Sequence, residues 1–306
     1  MTNLPTTRQL QYLVALHEQQ HFGKAAEQCF ISQSAFSIAI KELEHTLDCQ
    51  LFERTNRSVR TTRAGVEVVD RAKSVLLELD NLVNCAHSGK DPFKGELKLG
   101  VIPTIAPFLL PRLIPKLQRM HPQLELVLRE EQTAKAYASL MDGKLDIILI
   151  ALPYELPNCS VEELFDDPFH LAFRSNSRWL STATKYAQQA PERLPDEAVI
   201  LLEDGHCLRE HTLSQCELQS DGQQRQLSSY SSTSITTLLH MVAQDMGVTY
   251  VPDMAIGSPL LKGLRIKTLA MPENSMRGIG LAWRKGSVFA DSYKLFAQQI
   301  RDIYAA

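Results

Sequence analysis

The sequence predicts an α/β chain in three parts: a small helical head with a wing, one long helix, and a larger body of alternating strands and helices. Three observations carry this. Short amphipathic helices fill residues 7–47 and lead into an arginine-rich run. No proline interrupts residues 63–87. From Gly95 onward, strand-like apolar runs alternate with helical ones. At 306 residues the chain can hold two or three domains with their own cores. No apolar run approaches the roughly 20 residues of a membrane span. Met1 to Thr7 lacks the charged and apolar regions of a secretory signal. A cytoplasmic chain is therefore expected, with its six cysteines reduced at rest. The net charge of -3 gives no general affinity for nucleic acid, so any such contact has to come from a local patch.

Gln9 to His17 reads as a helix with Leu10, Leu13, Val14 and Leu16 apolar, and Gly23 to Cys29 as a second, short helix. After the junction Cys29-Phe30-Ile31-Ser32, a third helix is expected over Gln33 to Leu47, with Ser32 as its N-cap. Phe36, Ile40, Leu43 and Leu47 fall on one buried face, and Gln33, Ser34, Ser37 and Lys41 lie opposite. A short helix, a tight turn and a helix with a small polar face make a helix-turn-helix, whose second helix enters the major groove. Ser32, Gln33, Ser34, Ser37 and Lys41 suit base edges and phosphates. Arg54, Arg57, Arg60 and Arg63 then recur at every third position with no acid between them. Alone, such a run is as often a solvated surface; joined to the helix pair it reads as a wing, turning on Asn56 and Ser58, whose arginines reach phosphates.

From Arg63 to His87, Val69, Ala72, Leu76, Leu79, Val83 and Ala86 step by three and four, the seam of a paired helix. This reads as a dimerising linker, the alternative being a surface helix on its own domain. Ser88-Gly89-Lys90-Asp91-Pro92 forms a hinge. The expected domains are 1–62, 63–92 and 93–306.

In the body, strands are expected at Glu96–Ile102, Leu124–Arg129, Leu145–Leu149, Ala198–Leu202, Val248–Val251 and Ile279–Trp283. Helices are expected at Leu109–Met120, Ala134–Met141, Ser234–Met246 and Ser292–Tyr304, the first bent or broken by Pro111 and Pro115. The alternation argues for a mostly parallel sheet and two lobes, roughly 93–168 with 270–306, and 169–269. Ligands in such folds sit beyond the carboxyl ends of strands, which puts Thr104 and Thr133 at a cleft unless each merely caps a helix.

Cys207 and Cys216 stand nine positions apart, with His206 before the first and Arg209 after it. Thiol chemistry needs a thiolate, which nearby positive charge favours. In a helix, nine residues separate two Cα atoms by roughly 13 Å, whereas a disulfide tolerates about 7 Å. The pair either spans a loop or bridges only after the segment refolds. Three other readings stay open. The cysteines can be structural; His206, Cys207, His211 and Cys216 can ligate zinc; or the chain can be a thiol peroxidase, against which the helix-turn-helix argues. Cys29, Cys49, Cys85 and Cys159 read as packing residues, with Cys159 expected near the surface.

Several runs together resemble the LysR-type transcriptional regulators. They are Phe22-Gly23-Lys24-Ala25-Ala26, Ile31-Ser32-Gln33-Ser34-Ala35-Phe36-Ser37, Ile40-Lys41-Glu42-Leu43-Glu44, Leu51-Phe52-Glu53-Arg54 and Thr61-Thr62-Arg63-Ala64-Gly65. Ser34 departs from the proline common at that place. The body resembles periplasmic binding proteins, two lobes around an effector cleft. Gly205-His206-Cys207-Leu208-Arg209 with Cys216, together with Gly100-Val101-Ile102-Pro103-Thr104, Glu131-Gln132-Thr133 and Arg277-Gly278-Ile279-Gly280-Leu281, is similar to the peroxide-sensing members. That resemblance implies that Cys207 is oxidised to a sulfenic acid and resolved by Cys216, within a peroxide pocket of Thr104, Thr133, His206, Arg209 and Arg277. Glu210 stands where an aspartate is usual. The implied partners are double-stranded operator DNA, hydrogen peroxide, further copies of the chain as a dimer of dimers, and RNA polymerase. No cofactor, metal or membrane partner is expected, nor enzymatic turnover. The alternative is a LysR-type regulator that responds to a small organic ligand, its thiols incidental.

Overall fold

The computed structural model describes residues 4–54, 59–86, 93–182, 194–215 and 230–305. The chain divides into two compact units, Met1–Gly89 and Lys90–Ala306.

In the first unit, α1 (Thr7–Gln19) begins on a capping box in which the Thr6 hydroxyl accepts from Gln9 N–H and the Gln9 side chain accepts from Thr6 N–H. α2 (Phe22–Gln28) is capped by His21, whose Nδ1 accepts from Gly23 and Lys24 N–H. The chain then turns through Phe30 at φ 56°, with Ile31 N–H donating back to Ala26. α3 (Gln33–Thr46) starts where the Ser32 hydroxyl accepts from Ala35 N–H at 3.3 Å. Phe36, Ile40 and Leu43 are buried against Leu13, Leu16 and Ala25. The wing is an antiparallel pair, β1 (Phe52–Arg54) and β2 (Val59–Thr61). Glu44 fixes it to α3 by accepting from Leu51 N–H at 2.9 Å and Phe52 N–H at 3.1 Å. α4 (Arg63–Ala86) follows directly. A Cβ on Gly65 would lie 2.3 Å from the Leu51 carbonyl oxygen, so only glycine allows the helix this close to the wing.

The seam along α4 divides. Val69 and Ala72 are buried in the core of their own unit, packed with α1 residues. Val75, Leu79 and Leu82, at i, i+4 and i+7, are exposed. The first part of the expected seam is therefore intramolecular, and a stripe of apolar side chains exposed among the described residues begins after it.

The second unit holds a seven-stranded sheet in the order β10-β6-β11-β5-β3-β4, with β9 also on β6. The strands are β3 (Gly95–Val101), β4 (Leu124–Glu130), β5 (Ile147–Leu152), β6 (Cys159–Arg174), β9 (Thr249–Pro252), β10 (Ile266–Ala270) and β11 (Met276–Arg284). β3 runs parallel to β4 and β5, but β11 is antiparallel to β5 and β6, and β6 is antiparallel to β9 and β10. The sheet is mixed rather than mostly parallel. The causes are β11, which returns from late in the chain and inserts between β5 and β6 without a helical crossover before it, and β9 and β10, which lie antiparallel on β6.

β6 was not expected as a strand, because Glu162, Glu163, Asp166, Asp167 and Pro168 give it the composition of a loop. Its first half pairs with β11 and its second half with β9 and β10, so it carries the chain from one lobe into the next. The first lobe packs α5 (Ala106–Met120), α6 (Thr133–Met141) and α9 (Ala290–Ala305) around Leu99, Ile148, Trp283 and Phe296. The second gathers Phe169, Phe173, Leu201, Leu239 and Tyr250, with α8 (Ile235–Ala243) on it.

Two local expectations are narrowed. α5, expected to be bent or broken, is continuous through Pro111 and Pro115. Both prolines are exposed and four apart, so the carbonyls they displace face water on the outer side. The segment expected as the strand Ala198–Leu202 is instead a 3₁₀ turn at Asp196–Ala198, a single bridge from Val199 to Val248, and the short β7 (Leu201–Leu202) beside β8 (Ser231–Ser232).

Candidate functional site

The site lies in the second unit, at the start of α7 (Cys207–Gln215). Cys207 is the first residue of that helix and is buried, its exposure only 4%. Thr133 is the first residue of α6, and its Oγ1 is 2.8 Å from Cys207 Sγ. Thr104 stands two residues before α5 and is also buried. Neither threonine caps its helix; Ile105 and Gln132 hold the cap positions and make no side-chain cap bond. The thiol thus sits at the starts of two helices, α6 and α7, where unsatisfied N–H groups favour negative charge.

Arg277 supplies the positive charge. Its Nη1 donates to Thr104 Oγ1 at 2.9 Å and its Nη2 to the Thr104 carbonyl at 3.0 Å. Its Nε donates to Asp167 Oδ2 at 2.9 Å. Arg277 and Asp167 face each other in the β11–β6 register, and both are enclosed. Met254 N–H also donates to Asp167 Oδ1. Burial pushes the Asp167 carboxyl up, while Arg277 and the Met254 N–H pull it back. A buried guanidinium needs such a counter-charge. Asp167 was missed from the sequence, where it is one of a run of acids before a proline and nothing marks it as inward.

Burial pushes the Cys207 thiol up; against that, the Thr133 hydrogen bond and Arg277 pull it down, while Glu210 raises it further. For His206 and Arg209, expected to lower the thiol pKa or to orient peroxide, the structure shows other surroundings. Arg209 donates to the Leu202 carbonyl at 3.1 Å and pairs with Asp204 at 2.8 Å, fastening the preceding loop to α7. His206 is buried, and burial holds its ring below the ordinary histidine range, so at neutral pH it brings no charge. Gly205 takes φ 87°, the conformation that lets the chain turn between Asp204 and the helix.

Cys216 lies outside the described residues, as do Arg57 and the side chain of Arg54. Of the DNA-facing candidates, Ser32, Gln33, Ser34, Lys41 and Arg60 are exposed and Ser37 is partly so. Cys159, expected near the surface, is half-buried with Sγ 4.0 Å from Met141 Sδ, and burial pushes its thiol up to about 11. No group of three or more metal-binding side chains occurs among the described residues.

A helix-turn-helix unit joined to a two-lobed body with a buried polar site defines a ligand- or signal-responsive transcription regulator. The chain belongs to the LysR family: the bacterial regulatory helix-turn-helix protein, lysR family, matches residues 7–66, and the LysR substrate binding domain matches residues 90–305. Within that family it is similar to the DNA-binding transcriptional dual regulator OxyR of Escherichia coli K12, at 37% identity over 296 residues, covering 96% of this chain and 94% of that one. It is also 34% identical to the HTH-type transcriptional regulator EstR of Acinetobacter baylyi, covering 100% of this chain and 99% of the relative. Among solved structures it resembles a full-length OxyR variant from Pseudomonas aeruginosa, with a TM-score of 0.75, 33% identity, and 98% and 95% of the two chains covered. It also resembles a hydrogen-peroxide-bound OxyR mutant from Corynebacterium glutamicum, with a TM-score of 0.64, 30% identity, and 100% and 94% covered. No helix among the described residues is long and apolar enough to cross a membrane.

Proposed function

We propose that this regulator senses hydrogen peroxide through Cys207 and passes the signal to operator DNA. The observation that carries the reading is the 2.8 Å contact between Cys207 Sγ and Thr133 Oγ1, in a closed seat also acted on by Arg277. A hydroxyl that holds sulfur can also hold a peroxide oxygen, and Thr104, fixed by Arg277, offers a second. The Cys207 sulfur attacks one peroxide oxygen, water leaves, and a sulfenic acid remains. The Cys216 thiol condenses with it, releasing a second water and forming a disulfide. α7 is helical from Cys207 to Gln215. A helix of that length holds its ends roughly 13 Å apart, so the bond requires α7 to unwind. His206 and Arg209 serve by placing the first turn of α7.

Ser32, Gln33, Ser34, Ser37 and Lys41 would read the major groove, and Arg54, Arg57 and Arg60 the phosphates. The exposed stripe of α4 would pair two copies and the second unit would pair dimers, giving a homotetramer in the cytoplasm that acts on RNA polymerase at the promoter. Similarity to OxyR proteins over nearly the whole chain supports this. The test is one equivalent of peroxide on the reduced protein, followed by peptide mapping. A Cys207–Cys216 linked peptide is expected, absent in Cys207→Ser; retention of both thiols would sink the proposal and favour a regulator driven by a small organic ligand.

A further inference from the structure

His211 stands one turn after Cys207 on the same face of α7. Helical side chains lean toward the N-terminus, so four-residue spacing makes His211 and Cys207 neighbours along that face. Its Nε2 is 3.1 Å from the Pro153 carbonyl oxygen. A carbonyl only accepts, so Nε2 carries the hydrogen and Nδ1 of the neutral ring is a bare acceptor. That Nδ1 is enclosed and has no hydrogen-bond partner among the described residues, and His211 is only 6% exposed. A buried acceptor left unmade costs about 1–3 kcal/mol, so a donor is expected to complete it. The groups acting on the ring are Glu210 from α7 and Arg277 from β11, which also act on Cys207. Tyr154, just after β5, is influenced by both Cys207 and Glu210. Burial, with Arg277, holds the ring below its ordinary range against the pull of Pro153 and Glu210, which keeps the acceptor bare at neutral pH.

We propose that His211 Nδ1 accepts the Cys207 proton when peroxide reacts, directly or through one water; this rests on the peroxide reading above. The S–H bond breaks and its proton passes to Nδ1. The sulfur electron pair attacks the nearer peroxide oxygen and the O–O bond breaks. The departing hydroxide takes the proton back from the imidazolium and leaves as water. Sulfur is oxidised by two electrons, peroxide is reduced by two, and the ring ends neutral.

The test is the second-order rate of Cys207 oxidation in the full chain, measured against pH for the wild type and His211→Gln. The glutamine amide can still donate to Pro153, but its oxygen cannot take a proton. The wild-type rate should be flat between the pKa of the ring and that of the thiol, falling only on the acid side. The variant should be about a hundredfold slower at neutral pH, its rate rising about tenfold per pH unit with the thiolate fraction. A variant with the wild-type rate and flat profile overturns the proposal. So does a wild-type rate that climbs tenfold per unit throughout, a result that stands even if the variant fails to fold. A wild-type Cys207 that stays reduced in excess peroxide overturns the peroxide reading itself.

Discussion

Thr133 and Cys207 each open a helix, and their Oγ1 and Sγ atoms meet at 2.8 Å. The contact joins two elements 74 residues apart in the chain and places the sulfur where both helices are electron-poor. Thr133 is the group that does most to lower the thiol against burial.

Replacing that hydroxyl by a methyl group of the same size isolates its effect. Thr133→Val should raise the Cys207 pKa and slow alkylation by iodoacetamide at neutral pH. A hydrogen bond to a charged group is worth about 1.5–3 kcal/mol, or roughly ten- to a hundredfold in thiolate. An unchanged pH profile for alkylation would show that the contact does not hold the thiolate.

The Arg277–Asp167 pair can be broken from either side. Arg277→Ala leaves a carboxylate enclosed without its partner, and about 3–5 kcal/mol of stability should go with it. Asp167→Leu combined with Arg277→Met should recover most of that loss in urea denaturation, while the site stays defective because Thr104 is no longer held. A double variant as unstable as the single one would refute the assignment of the cost to an unpaired charge.

Acid should destabilise the second unit. Burial lowers the folded pKa of His206 and His211 below the ordinary histidine value of about 6.5. Below pH 6.5 the unfolded chain then binds more protons than the folded one, so stability is full above that pH and falls as pH drops toward the folded values. Each ring contributes up to about 1.4 kcal/mol per pH unit within that window. Melting temperatures followed from neutral to acid pH should decline, and His206→Asn with His211→Gln should flatten the decline.

On α4, Leu79 and Leu82 lie on the exposed stripe with Val75. Leu79→Glu with Leu82→Glu should lower the sedimenting species to a smaller assembly without lowering helix content. An assembly of unchanged mass would remove α4 as a pairing surface.

Arg60 points outward from the wing. Arg60→Ala should weaken operator binding and reduce the slope of log affinity against log salt by about one. A mobility-shift series at several salt concentrations measures it; an unchanged slope means that Arg60 meets no phosphate.

Local signals were the most legible part of the sequence. Ser32 marks the start of the recognition helix because an N-cap needs only its own turn, and Phe36, Ile40 and Leu43 mark its buried face by spacing alone. Cys207, Thr133, Thr104 and Arg277 were found through runs of neighbouring residues, and the fold brings them into one site. What the sequence hid depends on contacts between distant strands. Asp167 is inward only because Arg277 faces it across β6 and β11. β11 breaks the parallel order only because it inserts between β5 and β6. Arg209 looked like a partner for the thiol, but the Leu202 carbonyl and Asp204 lie within its reach and take its hydrogen bonds. His211 stood in the sequence only as a possible zinc ligand; its interest lies in a nitrogen that the fold buries and leaves unmatched among the described residues.

Cys207 packs in the core of the first lobe, and Leu208, the next residue, packs in the core of the second. One peptide unit therefore works as a rivet through both lobes. If a disulfide at Cys207 forms by unwinding α7, the contacts that seat Leu208 are weakened with it, and they favour the reduced state. For a two-electron couple, each 1.4 kcal/mol by which such seating favours the reduced state raises the reduction potential by about 30 mV. The set-point of the sensor is then written partly in hydrocarbon, and it can drift through core substitutions that never touch sulfur.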